Sequence, residues 1–250
     1  MKKSISIILS ICFIAINLNA QTCTKPFHFV ILGSSTAVGY GAAPKKSWAY
    51  LFADSLKKIN PNYIIDNLAV AGTTTYAAQP SNYVPPAGKP LPSKGHNITK
   101  AINLGADAVI INFPSNDAVN NYTPDEQKAN YKRISEEAAK HNILVWVATP
   151  QPRNTLTRRQ VNYQQNMFDW INTYYQEKAI NFHDGLASQK DSILFRFNAG
   201  DGIHLNNHGH KILYDRVMQK SIPDVLCKES VPIARRNRLK TSDVAKTELQ

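Results

Sequence analysis

The chain has 250 residues, 43% of them hydrophobic and 19% charged, and 29 Lys+Arg against 18 Asp+Glu give a formal net charge of +11. That length suits one large domain or at most two small ones, and the composition suits a packed core. Intrinsic disorder as the main state, collagen-like repeats and disulfide-dense miniproteins are excluded, and because the long apolar run is N-terminal, so is a polytopic membrane protein.

Met1-Lys2-Lys3, an apolar stretch from Ile5 to Leu18 and then Asn19-Ala20 read as a signal peptide over residues 1–20: a basic start, a short apolar segment and a small-residue cleavage site. The stretch is shorter than the roughly 20 residues that span a bilayer. Thr22 precedes Cys23 where a lipid-attachment site wants a smaller residue. The expectation is an exported protein, periplasmic or secreted, with no stable membrane insertion. Cleavage removes Cys12 and leaves Cys23 and Cys227 at the two ends of the domain, where an oxidising compartment favours a disulfide between them. From Lys228 the apolar pattern is lost, and residues 228–250 read as a basic, disordered tail. No aromatic is interleaved in it to stack on bases, so nucleic acid is not an expected partner. The domain is placed at residues 21–227.

Taken in order, Phe27–Leu32 is a β-favouring apolar run, and Ser47–Ile59 has helical spacing through Trp48, Leu51, Phe52 and Leu56. Tyr63–Val70 reads as a second strand, Ile98–Leu104 as a helix and Ala106–Phe113 as a third strand. Pro124–His141 is a charged amphipathic helix, Ile143–Ala148 a fourth strand, Arg158–Lys178 a long helix and Ile180–His183 a short fifth strand. A final helix starts near Asn207. Strands that alternate with helices and are apolar throughout predict an α/β fold whose parallel sheet is covered on both faces. Five prolines between Pro80 and Gly95 exclude helix or inner strand and predict a long loop of functional interest.

Ligands of such sheets bind beyond the carboxyl ends of the strands. There stand Gly33-Ser34-Ser35-Thr36, Ala71-Gly72-Thr73-Thr74, Pro114-Ser115-Asn116-Asp117, Thr149-Pro150-Gln151-Pro152-Arg153 and, near the end, Asp201-Gly202-Ile203-His204. A serine becomes a nucleophile when a histidine takes its proton and a carboxylate orients that histidine. Ser35, His204 and Asp201 offer these groups, the last two close enough in sequence for one turn to join them. The N–H groups of Ser35 and Gly72 and the side-chain amide of Asn116 are the candidate oxyanion donors. Arg153 and Tyr83 are candidate substrate-binding residues: a guanidinium placed to hold an acidic group, and a ring on the proline-rich loop able to stack on a sugar. His204, His208 and His210 could suggest a metal site, the first two being four apart, but no carboxylate or cysteine cluster completes it, so no metal and no cofactor are expected. His28 and His183 are expected to be structural histidines on strands, and Asp117 an ordinary turn former.

These blocks resemble the SGNH (GDSL-like) hydrolase, or lipase-acylhydrolase, family. Its first block is similar to Gly33-Ser34-Ser35-Thr36-Ala37-Val38-Gly39, and its second-block glycine to Gly72. Its third block is similar to Pro114-Ser115-Asn116-Asp117, and its fifth to Asp201-Gly202-Ile203-His204. Ser34 stands where the family usually has Asp, and Pro114 where it usually has Gly. The resemblance aligns Ser35 rather than Ser34 with the nucleophile. It implies a flavodoxin-like, three-layer α/β/α sandwich around a five-stranded parallel sheet, and ester hydrolysis through an acyl-enzyme without metal. The α/β-hydrolase alternative, Gly-x-Ser-x-Gly, is disfavoured by Ala37 at its last glycine position. The expected activity is a serine esterase acting on a small-molecule or polysaccharide ester, with a short, acetyl-sized acyl group on carbohydrate. The alternatives are a lipase or thioesterase for longer chains, and a catalytically silent carbohydrate-binding module.

Overall fold

The computed structural model describes residues 25–113 and 115–229. The expected signal peptide, Cys12, Cys23, Pro114 and the tail beyond Glu229 lie outside the described residues. Five parallel strands, β1 (His28–Gly33), β2 (Ile64–Asn67), β3 (Ala108–Asn112), β4 (Leu144–Ala148) and β5 (Ala179–Ile180), form one sheet in the order β2-β1-β3-β4-β5. Helices α1 (Ser35–Val38), α2 (Trp48–Ile59), α3 (Ile98–Asn103), α4 (Asn116–Val119), α5 (Pro124–Lys140), α6 (Arg158–Tyr175), α7 (Asn207–Met218) and α8 (Ile222–Glu229) complete the fold.

Residues 29–33 of β1 and all of β3 are buried, as a central parallel strand requires when both of its faces are covered. Alternate side chains supply two cores. Phe29, Ile31, Ala108, Ile110 and Trp146 pack with Phe52, Leu56, Leu213, Val217 and Leu226 of α2, α7 and α8. Val30, Leu32, Val109, Ile111 and Val147 pack with Ile98, Ile134, Met167 and Ile171 of α3, α5 and α6. The result is the three-layer sandwich expected from the sequence.

Local chemistry explains where the long helices begin. Thr123 and Glu126 form a capping box at α5, with Pro124 in its first turn, and Thr157 and Gln160 form another at α6. Asn206 caps α7 by accepting from His208 N (3.0 Å) and Gly209 N (3.2 Å).

Several boundaries differ from the expected ones. β2 is confined to Ile64–Asn67 and is a partly exposed edge strand. α6 ends at Tyr175 and passes through a 3₁₀ turn, Gln176–Lys178, into a β5 that stops at Ile180. Beyond it Asn181 Oδ1 accepts from His183 N and Asp184 N, which turns the chain. His183 therefore lies past the strand, with Nε2 facing Asp191 at 3.1 Å. α8 was not anticipated. It extends two residues past the expected domain end at Cys227, with Ile222 and Leu226 buried in the first core.

From β1 the chain first adds β2 on one side and then crosses to β3 on the other. The carboxyl ends of β1 and β3 are therefore the switch point of the sheet, where Gly33 pairs with Asn112. A crevice opens at such a point.

Candidate active site

β1 ends at Gly33 because the backbone has no room for a side chain there. A Cβ would lie 2.6 Å from Asn112 O and 2.8 Å from Ala37 Cβ. Ser34 caps the single turn of α1 and is fully buried. Ser35 is the first residue of that turn. Among the described residues its N–H has no protein acceptor, and neither has that of Gly72, which is exposed at φ 81°.

His204 comes to Ser35 from 169 residues away, with Nε2 2.8 Å from Ser35 Oγ. Its other ring nitrogen, Nδ1, is 2.6 Å from Asp201 Oδ2. An ionised carboxylate only accepts, so Nδ1 carries the proton and Nε2 is left to accept from the serine hydroxyl. Asp201 Oδ1 also takes the N–H groups of Ile203 and His204, both at 2.8 Å. Burial pushes this carboxyl up, but the N–H and imidazole of His204 and the N–H of Ile203 together outweigh it and bring its pKa down to about 2. The acid is thus ionised at any working pH.

The second and third loops are tied to this centre. Thr73 Oγ1 donates to Val70 O and Gly33 O at 2.7 and 3.2 Å. Asn116 Nδ2 donates to Thr73 O and to Ser34 Oγ, each at 2.8 Å. Both amide hydrogens of Asn116 are therefore engaged, and donation to an oxyanion requires the Ser34 bond to be shared or exchanged. Asp117 is more than a turn former. It is fully buried and accepts from Thr75 Oγ1 at 2.5 Å and from Thr75 N at 3.1 Å. Burial outweighs these bonds and lifts its pKa to about 6.

The β4–α6 loop brings Arg153 to the same edge. Gln151 Nε2 donates to Ile203 O (3.2 Å), and Asn154 N donates to Gly202 O (2.8 Å). Arg153, between these two tethers, extends Nη1 to Ser115 Oγ at 3.2 Å. Tyr83 is not brought to the triad. Its ring stacks on Tyr76 at 6.4 Å, and the Arg133 guanidinium lies 4.0 Å above it, so a face proposed for a sugar is already occupied. Lys89, on the same loop, pairs with Glu126 at 2.5 Å and lies 3.8 Å over Tyr122. The proline-rich loop is thereby anchored on α5.

Three further residues shape the site, of which Tyr40 and Gly41 carry no sequence signal that points to it. Tyr40, 51% exposed, sets its ring 5.4 Å from that of His204. Gly41, at φ 86°, gives His204 room, since a Cβ there would come within 2.8 Å of His204 Cβ. His210 is fully buried, accepts from Trp48 N through Nδ1 (3.3 Å) and donates from Nε2 to Tyr40 O (2.9 Å). Burial lowers its pKa to about 4 and keeps it neutral. At the far end of the domain Cys227 is disulfide-bonded, and its expected partner Cys23 lies outside the described residues. Among the described residues no three His, Cys, Asp or Glu side chains group as metal ligands would. None of the described helices is long and apolar enough to cross a membrane.

Comparison with known proteins agrees with this geometry. Residues 31–212 match the GDSL-like Lipase/Acylhydrolase family. No curated protein matches the chain. Among solved structures, a GDSL-like lipase from Bacteroides thetaiotaomicron is similar at 17% identity and TM-score 0.56, over 77% of this chain and 86% of that one. The psychrotrophic esterase EstA from Pseudoalteromonas sp. is similar at 15% identity and TM-score 0.55, over 78% and 97%. The acetyl xylan esterase AlAXEase is similar at 15% identity and TM-score 0.53, over 77% and 98%. At these identities the likeness is one of fold.

Proposed function

Since the chain belongs to the GDSL-like lipase/acylhydrolase family, we propose that it is a serine ester hydrolase whose nucleophile is Ser35. The observation that carries this reading is the continuous hydrogen-bond chain from Ser35 Oγ through His204 to Asp201, at 2.8 and 2.6 Å. Ser35 Oγ attacks the ester carbonyl and passes its proton to His204 Nε2. The imidazolium that forms is stabilised by ionised Asp201. The carbonyl oxygen, now negative, is held by the N–H groups of Ser35 and Gly72 and by the Asn116 amide. His204 returns the proton to the leaving alcohol, and a water activated by the same nitrogen releases the acid from Ser35.

In our reading the acyl group is acetyl-sized, the alcohol is a carbohydrate and the protein is exported. The fold similarity to the acetyl xylan esterase and the leader-like residues 1–20 support these finer points. A second reading, hydrolysis of longer acyl chains, is favoured by Val38 and Tyr40, apolar side chains 41% and 51% exposed beside the nucleophile and base. Turnover of 4-nitrophenyl esters from acetate to dodecanoate separates the two by its chain-length optimum, and acetate release from a panel of acetylated polysaccharides tests the alcohol. Ser35→Ala is expected to abolish turnover without changing the unfolding midpoint. Full activity in Ser35→Ala, or no turnover of any ester by the wild type, would overturn the assignment, the latter in favour of a binding module.

A further inference from the structure

Arg153 is a cation kept in the site without an ion-paired carboxylate among the described residues. It is half-buried, and among the described residues its one hydrogen bond is the 3.2 Å contact from Nη1 to the neutral Ser115 hydroxyl. Its Nε is buried without a partner, and it makes no ion pair among the described residues. A guanidinium removed from water in this way is costly unless an anion meets it, and its planar fork of donors matches a carboxylate or phosphate.

Its position says where that anion would lie. Gln151 and Asn154, on either side, fasten the loop to Ile203 and Gly202 within the segment that carries Asp201 and His204. The guanidinium itself reaches Ser115, next to Asn116. Arg153 thus bridges the oxyanion side of the site and the acid–base side, across from the loop that presents Ser35. Asp201 is near enough to favour its charged form, while burial works against it. Asp201 is held instead by His204 and two N–H groups, and among the described residues no hydrogen bond or ion pair joins it to Arg153.

We propose that Arg153 makes this site selective for esters that carry an anionic group, a carboxylate or a group of like geometry, within reach of the scissile bond. The inference rests on the ester-hydrolase reading and deepens it by naming a substrate class. The anion can sit on the alcohol or on the acyl side. A charge-assisted bond from Arg153 is expected to favour such a substrate by roughly ten- to a hundredfold over its neutral analogue.

The test compares matched pairs. On the alcohol side, kcat/KM is measured for 4-acetoxybenzoate against 4-acetoxybenzamide. On the acyl side, mono-4-nitrophenyl succinate is measured against 4-nitrophenyl pentanoate. The anionic member is expected to be preferred in one pair, which identifies the side. The preference should vanish in Arg153→Gln and survive in part in Arg153→Lys, which keeps the charge but not the fork. Neutral esters turned over with no anionic preference in either pair would overturn the proposal and leave the ester-hydrolase reading standing. A preference that persists unchanged in Arg153→Gln would also overturn it. If no ester is turned over, the ester-hydrolase reading falls, and titration of the wild type with 4-hydroxybenzoate and 4-hydroxybenzamide decides the anion site separately. Tighter binding of the carboxylate, lost in Arg153→Gln, supports the site; equal binding refutes it.

Discussion

Asp117 is a carboxyl whose burial sets up a stability change that can be measured against pH. Its pKa rises from 3.8 to about 6 in the folded protein, burial outweighing the bonds from Thr75. The folded state therefore holds this proton more tightly than the unfolded chain does. The associated stability is fully present below about pH 4 and is lost as pH climbs through 6. The difference amounts to about 3 kcal/mol, at 1.36 kcal/mol for each pH unit between the two values. His210 runs the other way. With its pKa lowered from 6.5 to about 4, its contribution is complete above about pH 6.5 and is lost as pH falls toward 4. The two slopes overlap and largely cancel in the wild type, so the comparison must be made with Asp117→Asn. Urea unfolding of both proteins, followed by tryptophan fluorescence from pH 4 to 8, should show the variant gaining on the wild type by about 3 kcal/mol across that range. At pH 4 the protonated carboxyl and the amide each offer Thr75 one carbonyl acceptor, so the two proteins should be closest in stability there. A difference between the two proteins that stays constant with pH would refute the account of a buried, ionisable Asp117.

Asn116→Ala should lower kcat by roughly 10²–10³-fold with a smaller effect on KM, since an oxyanion donor acts mainly in the transition state; a change confined to KM would make Asn116 a ground-state contact. Gly41→Ala should cost roughly 1–2 kcal/mol of stability from its left-handed backbone. It should also reduce kcat/KM ten- to a hundredfold by displacing His204, and activity within twofold of wild type would show that the site absorbs the extra methyl. In unreduced, denatured protein lacking residues 1–20, no thiol should react with Ellman's reagent, whereas two reactive thiols would refute the proposed pairing of Cys23 with Cys227.

Much of the fold was legible because burial on both faces leaves β1, β3 and β4 as unbroken apolar runs and because Pro124–His141 carries a charged amphipathic pattern; the capping boxes at Thr123 and Thr157 then fix where α5 and α6 begin. α8 escaped notice because Pro223 lies just inside it and the helix spans only eight residues. β5 proved shorter because Phe182 N–H donates to the Thr149 hydroxyl and the Asn181 side chain takes the N–H groups of His183 and Asp184. Within the proposed site, Ser35, Asp201 and His204 could be picked out because serine hydrolysis would demand those side chains and such folds place them after strands. Arg153 was readable from its place after β4. What could not be read for Tyr83 is its neighbours: a ring on a loop seems free in sequence, and only the fold reveals Arg133 above it. Gly41 carried no signal, and His210 was legible only as a possible metal ligand, for the converse reason. Their importance lies in contacts with Leu205, His204 and Tyr40 that span more than 160 residues of chain.

The acid and the base of the site belong to one turn, three residues apart, while the nucleophile stands 169 residues away from the base. The pair forms with almost no loop to close, whereas its meeting with Ser35 must wait until β1, the whole sheet and α7 have assembled. Catalytic competence is thus a property of the finished topology. A refolding chain can acquire helices, a collapsed core and a poised imidazole and still be inert, so the return of activity reports that Ser35 has met His204 across 169 residues of chain.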